Sequence, residues 1–389
     1  MDRFVQERAH FPLLREVAYF ETAATAPIPD YVYEGVERYQ RDRYLRGGDA
    51  DWGGMGTLAM MDRTKALLGR MLGCGGEDIA FGTNSSQMFT LFSEGIGLRA
   101  GDNVILADNA WISNRFTFQT HEKDGVELRW AKTQSGAFTP EAICALADEN
   151  TRAICVSFVE SSTGFRQELA PIGAFCREHG IWFAVDGVQG IGVLPVDMEE
   201  MKIDFLVGND YKWMLHYCGT GFACISKPLQ KALRPWGAGW MSDDERFNTS
   251  KAQLRLREDA GRFELGYPNV SGIYALGLVA EHYLALGAKE IEERVLSLAE
   301  FAAREGAKLP GATVRGFYPR RENRSAIVTL VLDGRYEPDA VALRKKGIAV
   351  PVRRTEEGAE LRLSLHYYNT KEDISRLLEA LKTCVKNES

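Results

Sequence analysis

The sequence predicts an α/β protein with a large doubly wound, mainly parallel sheet domain and a smaller α+β C-terminal domain. Short apolar segments alternate with helix-like segments from about residue 60 to about residue 226. Continuous apolar strands separated by helices are typical of a parallel sheet that is covered on both faces. Beyond residue 270, long helix-like segments are followed by a few strands. The 389 residues leave room for two domains of roughly 100–200 residues each.

We expect the large domain to cover 20–255 and the small domain to cover 256–389 together with 1–19. In the large domain, the patterns predict helices over 60–73, 87–97 and 172–180, and strands over 78–82, 103–108, 152–158, 181–187, 204–210 and 221–226. In the small domain, they predict a long helix over 271–308 with breaks at Gly277, Gly287 and Gly306, strands over 326–332, 347–350 and 360–365, and helices over 338–347 and 371–385.

The composition argues against several classes of protein. The formal net charge is −7 and no run of lysine or arginine is present, so we expect no nucleic-acid partner. The first twenty residues lack a signal-peptide core, and no segment approaches the ~20 apolar residues of a membrane helix. We therefore expect a cytoplasmic protein with no membrane partner. The seven cysteines form no Cys-x-x-Cys pair and the six histidines are dispersed, which predicts neither a disulfide framework nor a metal site.

Polar side chains follow several of the predicted strands, at the edge where open α/β sheets bind ligands. Neither G-x-G-x-x-G nor G-x-x-x-x-G-K-[ST] is present, which argues against a nicotinamide-dependent dehydrogenase and a P-loop protein. Instead, the strand ends carry a carboxylate, amides, a lysine, a helix start and aromatic side chains. These groups belong to Thr83, Asn84, Trp111, Asp186, Gln189, Asn209, Tyr211 and Lys212.

Pyridoxal phosphate (PLP) needs such a set of groups. A carboxylate keeps its pyridine nitrogen protonated, so that the ring can accept electrons from a substrate carbanion. A lysine forms the resting Schiff base and moves protons. A helix start offers free N–H groups to the phosphate. The order of these groups along the chain therefore predicts pyridoxal 5′-phosphate as the cofactor.

The same residues lie in longer blocks of the sequence. The blocks are YFETAATAPIP at 19–29, FGTNSSQMF at 81–89, VDGVQGIGVLPVD at 185–197, FELGYPNVSGI at 263–273 and LRLSLHYYNTKEDI at 361–374. In this order they resemble the class V aminotransferase family, which includes cysteine desulfurases and isopenicillin N epimerase-like proteins. The resemblance covers nearly the whole chain and implies the aspartate-aminotransferase-like fold, PLP fold type I.

The resemblance also implies a role for each matching residue. Lys212 would hold the cofactor, and Asp186 would be the partner of its pyridinium nitrogen. The other cofactor contacts would be Gln189 to the phenolic oxygen, Trp111 on the ring, and Thr83, Asn84, Asn209 and Tyr211 to the phosphate. Tyr267 would reach the phosphate of a neighbouring subunit, which implies a homodimer with shared active sites. Arg362 would bind the substrate α-carboxylate, and Ala24 and Ser161 are further candidate substrate contacts.

The sequence departs from the cysteine desulfurase pattern at three places. Trp111 replaces the histidine that desulfurases stack on the ring, and Tyr211 stands where they usually have a histidine. The segment before Arg362, PVRRTEEGAE at 351–360, contains no cysteine. Because a desulfurase accepts sulfur on a cysteine in that segment, persulfide chemistry lacks its nucleophile. Cysteine desulfurase activity is therefore disfavoured.

Each of these residues also has an ordinary structural alternative. Asp186 would otherwise cap a turn, Trp111 would be a packing residue, and Arg362 would be exposed on a strand. Lys212 would be a solvated surface lysine, although it follows an apolar strand and lies between two aromatic residues. The glycine-rich segment at 46–56 is either a mobile entrance loop or a plain connector.

We expect a PLP-dependent enzyme that acts on an α-amino acid or amine, with a class V aminotransferase as the first hypothesis. A missing acceptor cysteine removes the best-defined lyase in the family, which favours the transferase. The alternative is a PLP-dependent β-lyase, similar to a C–S lyase or desulfurase, that lacks the persulfide cysteine. A non-catalytic binding protein with the PLP fold is the alternative from another class. Such a protein would usually have lost Lys212 or Asp186, and both are present.

Overall fold

The computed structural model describes residues 3–47, 56–133, 139–246, 248, 250, 252–356 and 358–385. The strands in chain order are β1 (Ala18–Tyr19), β2 (Ile79–Gly82), β3 (Asn103–Ala107), β4 (Glu127–Ala131), β5 (Thr151–Ser157), β6 (Trp182–Asp186), β7 (Phe205–Asn209), β8 (Gly221–Ile225), β9 (Ala312–Arg315), β10 (Ile327–Leu332), β11 (Ile348–Ala349), β12 (Val352–Thr355) and β13 (Gly358–Ser364). The α-helices are α1 (Arg3–Arg8), α2 (Asp30–Arg46), α3 (Thr57–Leu72), α4 (Ser85–Gly95), α5 (Ile112–Gln119), α6 (Pro140–Cys144), α7 (Leu169–His179), α8 (Lys227–Ala232), α9 (Val270–Leu286), α10 (Ala288–Gly306), α11 (Ala340–Lys345) and α12 (Lys371–Lys382). The predicted loop at 46–56 falls mostly on 48–55, which lie outside the described residues.

The large sheet has the strand order β2-β8-β7-β6-β5-β3-β4. The strands β3 to β7 pair in parallel, whereas β8 runs antiparallel to both of its neighbours, β2 and β7. The chain passes from β7 to β8 through residues 210–220, which contain no helix. A parallel neighbour needs a longer crossover connection, usually a helix, so the chain returns in the opposite direction. The predicted mainly parallel α/β sheet is confirmed, with this one antiparallel strand.

The sheet is buried on both faces, which explains its continuous apolar strands. All residues of β3, β7 and β8 are buried. On one face, Ile105 and Leu206 belong to a core that includes residues of α3 and α9. On the other face, Leu106 and Phe205 belong to a core that includes residues of α4 and α5. Because successive side chains of a strand point to opposite faces, each strand contributes to both cores. The carboxyl ends of β2, β3, β5, β6 and β7 therefore share one edge of a rigid layer.

The predicted helix over 271–308 is two helices, and one of its predicted breaks was wrong. The chain bends by 83° between α9 and α10, at Gly287, whose φ is +91°. Gly277 lies inside α9 and does not interrupt it. A Cβ atom at Gly277 would lie 2.6 Å from Thr64 Oγ1 of α3, so this glycine allows close helix packing. No single helix of the described residues is long and apolar enough to cross a membrane, and only the bent α9–α10 pair passes that test jointly.

The C-terminal part of the chain forms a second, smaller sheet. Its antiparallel order is β12-β13-β10-β9, and its core includes residues of α10 and α12. β11, in the predicted strand over 347–350, pairs in parallel with β1 near the N-terminus instead of joining this sheet. Glu21 then forms a bridge with Ser364 at the end of β13. The N-terminal segment thus runs from the small sheet towards the carboxyl edge of the large one.

Candidate active site

A cavity of about 440 Å³ opens at the carboxyl edge of the large sheet. The residues that line it come from the ends of β5, β6 and β7, from the turn after β7, and from the starts of α4 and α5. They are Asn84, Ser85, Ser86, Trp111, Ser113, Ser157, Val159, Ser161, Asp186, Val188, Gln189, Asn209, Tyr211 and Lys212. The structure therefore brings together, in one cavity, most of the side chains that follow the predicted strands.

Lys212 lies in the turn after β7, with its side chain between two aromatic rings. Its Nζ atom is 5.6 Å from the centre of the Trp111 ring and 5.7 Å from the centre of the Tyr211 ring. Burial lowers the pKa of Lys212, and the nearby Arg362 charge adds to this, while the Asp186 carboxylate opposes it. A lysine with a lowered pKa has a larger fraction of free amine, which is the nucleophilic form. Trp111 is 48% exposed, so its other ring face is open to solvent.

Asp186 is the last residue of β6 and forms the floor of the cavity. Its Oδ2 atom accepts a hydrogen bond from Asn114 Nδ2 over 2.8 Å, and its Oδ1 atom accepts one from the Val188 N–H over 3.0 Å. Burial raises the pKa of Asp186, and these two hydrogen bonds and the Lys212 charge oppose that shift. The site thus supplies three favourable interactions to a carboxylate in a buried position.

Gln189 lies one turn beyond Asp186 and is held by two groups outside the cavity. Trp213 Nε1 donates a hydrogen bond to Gln189 Oε1 over 2.8 Å, and Gln189 Nε2 donates one to the Ala23 carbonyl over 3.1 Å. The indole can only donate and the carbonyl can only accept, so the amide has a single possible orientation. The remaining N–H of Gln189 is left for a group in the cavity.

The start of α4 borders the cavity where a phosphate would lie. Asn84 is the N-cap of this helix, and its Oδ1 atom accepts a hydrogen bond from the Gln87 N–H over 2.8 Å. A Cβ atom at Gly221 would lie 2.4 Å from the backbone of Asn84, so only glycine lets β8 start this close to the helix. The N–H groups of the first turn of a helix attract anions.

Thr83 precedes this helix but is absent from the residues that line the cavity. Its N–H and its Oγ1 atom both donate to Gln87 Oε1, over 2.6 Å and 3.0 Å. Asn209, at the end of β7, and Tyr211 do line the cavity. Of the four residues predicted to hold the phosphate, Asn84, Asn209 and Tyr211 therefore face the cavity, and Thr83 is directed to its own turn.

Of the three predicted substrate contacts, Ser161 lines the cavity, whereas Arg362 and Ala24 are not among its described lining residues. Arg362 is half-buried on β13, and its Nη1 atom donates a hydrogen bond to the Ser161 carbonyl over 3.0 Å. Burial lowers the pKa of Arg362. Ser161 lines the cavity, whereas Ala24 is exposed next to Ala23, the acceptor for Gln189. Tyr267 is 48% exposed and contacts the edge of the Trp240 ring, away from the cavity of its own chain.

The sequence did not identify three residues that contact, or lie close to, the predicted site residues. Asn114 contacts Asp186, Trp213 contacts Gln189, and Glu160 is a buried carboxyl group near Asp186. Burial raises the pKa of Glu160 well above its usual range, and the Asp186 charge adds to this. Only the position of Trp213, directly after Lys212, was a usable signal. The partners of the other two depend on how α5 and the segment after β5 pack.

These residues fit pyridoxal phosphate. The cavity has a half-buried amine in Lys212, a buried carboxylate in Asp186, an oriented amide donor in Gln189, and the N-terminus of α4. The Trp111 ring lies near this amine, with its centre 5.6 Å from Lys212 Nζ, and offers an aromatic face beside the cavity. When bound, the cofactor supplies an electron sink for negative charge at the substrate Cα.

Comparisons with known proteins support this assignment. The family described as "Aminotransferase class-V" matches residues 18–377. A probable cysteine desulfurase of Methanothermobacter thermautotrophicus is 25% identical, and a cysteine desulfurase of Salmonella typhimurium is 27% identical, each over 96% of both proteins.

Solved structures show the same fold. The apo structure of a cysteine desulfurase from Thermococcus onnurineus NA1 superposes with a TM-score of 0.86 at 22% identity, over 97% of both chains. The cystine C–S lyase C-DES, solved with its product cysteine persulfide, also has a TM-score of 0.86, at 19% identity, over 97% of this chain and 100% of that one. The chain therefore belongs to the class-V aminotransferase family, a family of PLP-dependent enzymes.

Proposed function

We propose that this protein is a PLP-dependent lyase that cleaves the Cβ–S bond of a sulfur-containing α-amino acid without an enzyme persulfide. The observation that carries this proposal is the cavity around Lys212, which combines the PLP-binding groups with the absence of any thiol. Of the described residues that line it, none is a cysteine or a histidine. The relatives named cysteine desulfurase support sulfur chemistry at this site.

Each residue has a defined task in this reaction. Arg362 binds the substrate carboxylate, because a guanidinium matches it with two parallel hydrogen bonds. The Lys212 amine takes the proton from the substrate Cα, and its lowered pKa keeps the amine available. The Cβ–S bond then breaks, and the sulfur leaves with the bonding electron pair. With one water, cysteine would give pyruvate, ammonia and hydrogen sulfide, and an S-substituted cysteine would give the corresponding thiol.

The absence of an acceptor thiol separates this reaction from that of a desulfurase. The segment 351–360, before Arg362, contains no cysteine. Cys218, in the turn after Lys212, is an exposed residue. Partial burial of its thiol and the nearby Asp210 charge raise the pKa of that thiol. A thiol with a raised pKa is a poor nucleophile near neutral pH. The leaving sulfur is therefore released to solvent.

A class V aminotransferase is the second candidate, and the description of the matching family favours it. This reaction would use the same Lys212 amine to move the Cα proton, while the Cβ–S bond stays intact. It also needs a 2-oxo acid as the amino acceptor. The two candidates therefore differ in their products rather than in the residues that begin the reaction.

A product assay separates the candidates. The PLP-loaded protein is incubated with cysteine, cystine and S-methylcysteine, with and without added 2-oxo acids, and pyruvate, alanine and thiol are quantified. A lyase forms equal amounts of pyruvate and thiol or persulfide without an acceptor. A desulfurase forms alanine, and an aminotransferase forms product only when a 2-oxo acid is present. Either of the last two results would overturn the lyase proposal, and Lys212→Ala is the inactive control.

A further inference from the structure

Asn114 is a buried residue on the first turn of α5, with 4% of its surface exposed. It lies three residues after Trp111, the N-cap of the same helix. Its Nδ2 atom donates to Asp186 Oδ2 over 2.8 Å; Asp186 lines the cavity, whereas Asn114 is not among its described lining residues. One helical turn therefore carries both the ring above Lys212 and the partner of the floor carboxylate.

We propose that Asn114 is a positioning residue that holds Asp186, in its ionised form, towards the cofactor. This inference rests on the proposed PLP chemistry, because it assigns a task to Asn114 through Asp186. A carboxylate oxygen can accept two hydrogen bonds. Asn114 occupies one position on Oδ2 and the Val188 N–H occupies one on Oδ1. The remaining lone pairs are left for the pyridinium N–H of the cofactor.

Several titratable groups face Asp186 from the surrounding elements. Lys212 and Tyr211 approach from the turn after β7, and Glu160 approaches from the segment after β5. Glu160 is buried, and burial together with the Asp186 charge raises its pKa well above its usual range. Lys212 changes its charge whenever it takes or releases a proton. The Asn114 amide has no charge to lose, so it supports Asp186 throughout the reaction.

Asn103 provides a matched control. It is fully buried, and its Nδ2 atom donates to Asp148 Oδ1 over 2.8 Å, the same interaction at the opposite edge of the sheet. Asn114→Leu and Asn103→Leu each remove one buried amide and one hydrogen bond to a carboxylate, and Asn103→Leu also removes the acceptor of Thr151 Oγ1. Asp186→Ala removes the carboxylate itself. Each variant is purified without cofactor, titrated with pyridoxal phosphate by absorbance, and unfolded with urea between pH 5 and pH 8.

We expect Asn114→Leu to raise the dissociation constant of pyridoxal phosphate about tenfold, as the loss of one hydrogen bond to a charged group does. Asn103→Leu leaves this constant unchanged. Equal affinities of Asn114→Leu and wild type would overturn the role of Asn114, provided that Asp186→Ala weakens binding. If Asp186→Ala also leaves binding unchanged, the cofactor site itself is overturned, and the role of Asn114 with it.

The unfolding experiment tests the same inference without cofactor. Without Asn114, the pKa of Asp186 rises further above its usual value of 3.8. Wherever the folded state then holds a proton that the unfolded state has lost, stability falls as pH increases. The stability gap between wild type and Asn114→Leu therefore widens from pH 5 to pH 8, and a constant gap would indicate a packing role only.

For Asn103→Leu we expect a difference in stability from wild type that stays constant between pH 5 and pH 8. Burial alone would raise the pKa of Asp148, but hydrogen bonds from Arg129 and Asn103 outweigh it and lower that pKa below its usual 3.8. Losing Asn103 returns this pKa towards its usual value, below the range tested. Its protonation therefore does not change between pH 5 and pH 8.

Asn114→Asp keeps the test available if the leucine variant does not fold. The new carboxyl group can donate to Asp186 only while it is protonated. We expect cofactor affinity near that of wild type at low pH and a steep loss as pH rises, because two adjacent carboxylates repel each other. An affinity that is independent of pH would overturn the proposal.

Discussion

The indole nitrogen of Trp213 donates a hydrogen bond to Gln189 Oε1 over 2.8 Å, and this contact orients a residue that faces the cofactor cavity. The backbone carbonyl of Trp213 accepts a hydrogen bond from a buried histidine. His366 Nε2 donates to the Trp213 carbonyl over 3.2 Å, and His366 Nδ1 accepts from the Tyr367 N–H over 2.9 Å. Burial lowers the pKa of His366 to about 3, so the ring stays neutral with its proton on Nε2. A chain of hydrogen bonds thus runs from the segment after β13, through Trp213, to Gln189 in the cavity.

Trp213→Phe removes the donor to Gln189 and keeps an aromatic ring in the core. We expect a loss of about 1–3 kcal/mol in the free energy of unfolding, because the buried Gln189 oxygen is left without a partner. We also expect a change in the absorbance of the PLP-loaded protein, since the amide can then flip. Trp182→Phe, at the opposite end of β6, is the control and should leave the absorbance unchanged. If the absorbance spectrum of Trp213→Phe is the same as that of wild type, the proposed role of Trp213 is contradicted.

Lys212→Ala tests the covalent attachment of the cofactor. The wild-type protein should be yellow with pyridoxal phosphate, and borohydride should fix one phosphopyridoxyl group on the peptide that contains Lys212. The alanine variant should bind no covalent label and show no turnover, because it lacks both the amine and the base. Lys132→Ala, at an exposed lysine, should label like wild type. Label on another lysine of the wild-type protein would refute the assignment.

Arg362→Gln tests recognition of the substrate carboxylate. We expect kcat/KM to fall by roughly 10–100-fold, the range for a lost hydrogen bond to a charged group. With an amine substrate that lacks the carboxylate, wild type and variant should have the same kcat/KM, because Arg362 then has no carboxylate to bind. Arg354→Gln, on the neighbouring strand β12, is the control. Equal losses for both substrates would mean that Arg362 has only a structural role through Ser161.

His216→Leu should stabilise the protein. His216 is 2% exposed, and neither of its ring nitrogens has a hydrogen-bond partner among the described residues. Replacing such a group with an apolar one of similar size should add about 1 kcal/mol at pH 7. Urea unfolding of both proteins measures this difference, with His179→Leu, at an exposed histidine, as the control.

The pH dependence of this difference follows from the same burial. Burial lowers the pKa of His216 from 6.5 to about 3. The unfolded state therefore binds a proton between these two values that the folded state does not, and stability falls as pH decreases through that window. The advantage of His216→Leu should grow as pH falls from 7 to 4. An advantage that shrinks on acidification would show that His216 has a partner when protonated.

The sequence predicted a mainly parallel sheet covered on both faces and the groups at its strand ends, because both follow from local patterns. Continuous apolar strands required burial on both faces; Asp186 ends one such strand, and Lys212 lies in the turn that follows another. The break predicted at Gly277 was wrong because a glycine also serves close packing inside a helix. The direction of β8 and the positions of Thr83 and Tyr267 outside the cavity could not be derived, since they depend on connection length and side-chain orientation.

The sequence alone therefore determined the class of fold and predicted the cofactor, through the order of a carboxylate, an amide and a lysine along the chain. Only the tertiary structure decided how these groups are supported. The fold brings Asn114 of α5 to Asp186 at the end of β6, and Trp213 of the turn after β7 to Gln189. Such contacts join residues far apart in the chain, so no local pattern encodes them. Burial, which shifts the pKa values of Asp186 and Lys212, arises in the same way, from the packing of the whole molecule.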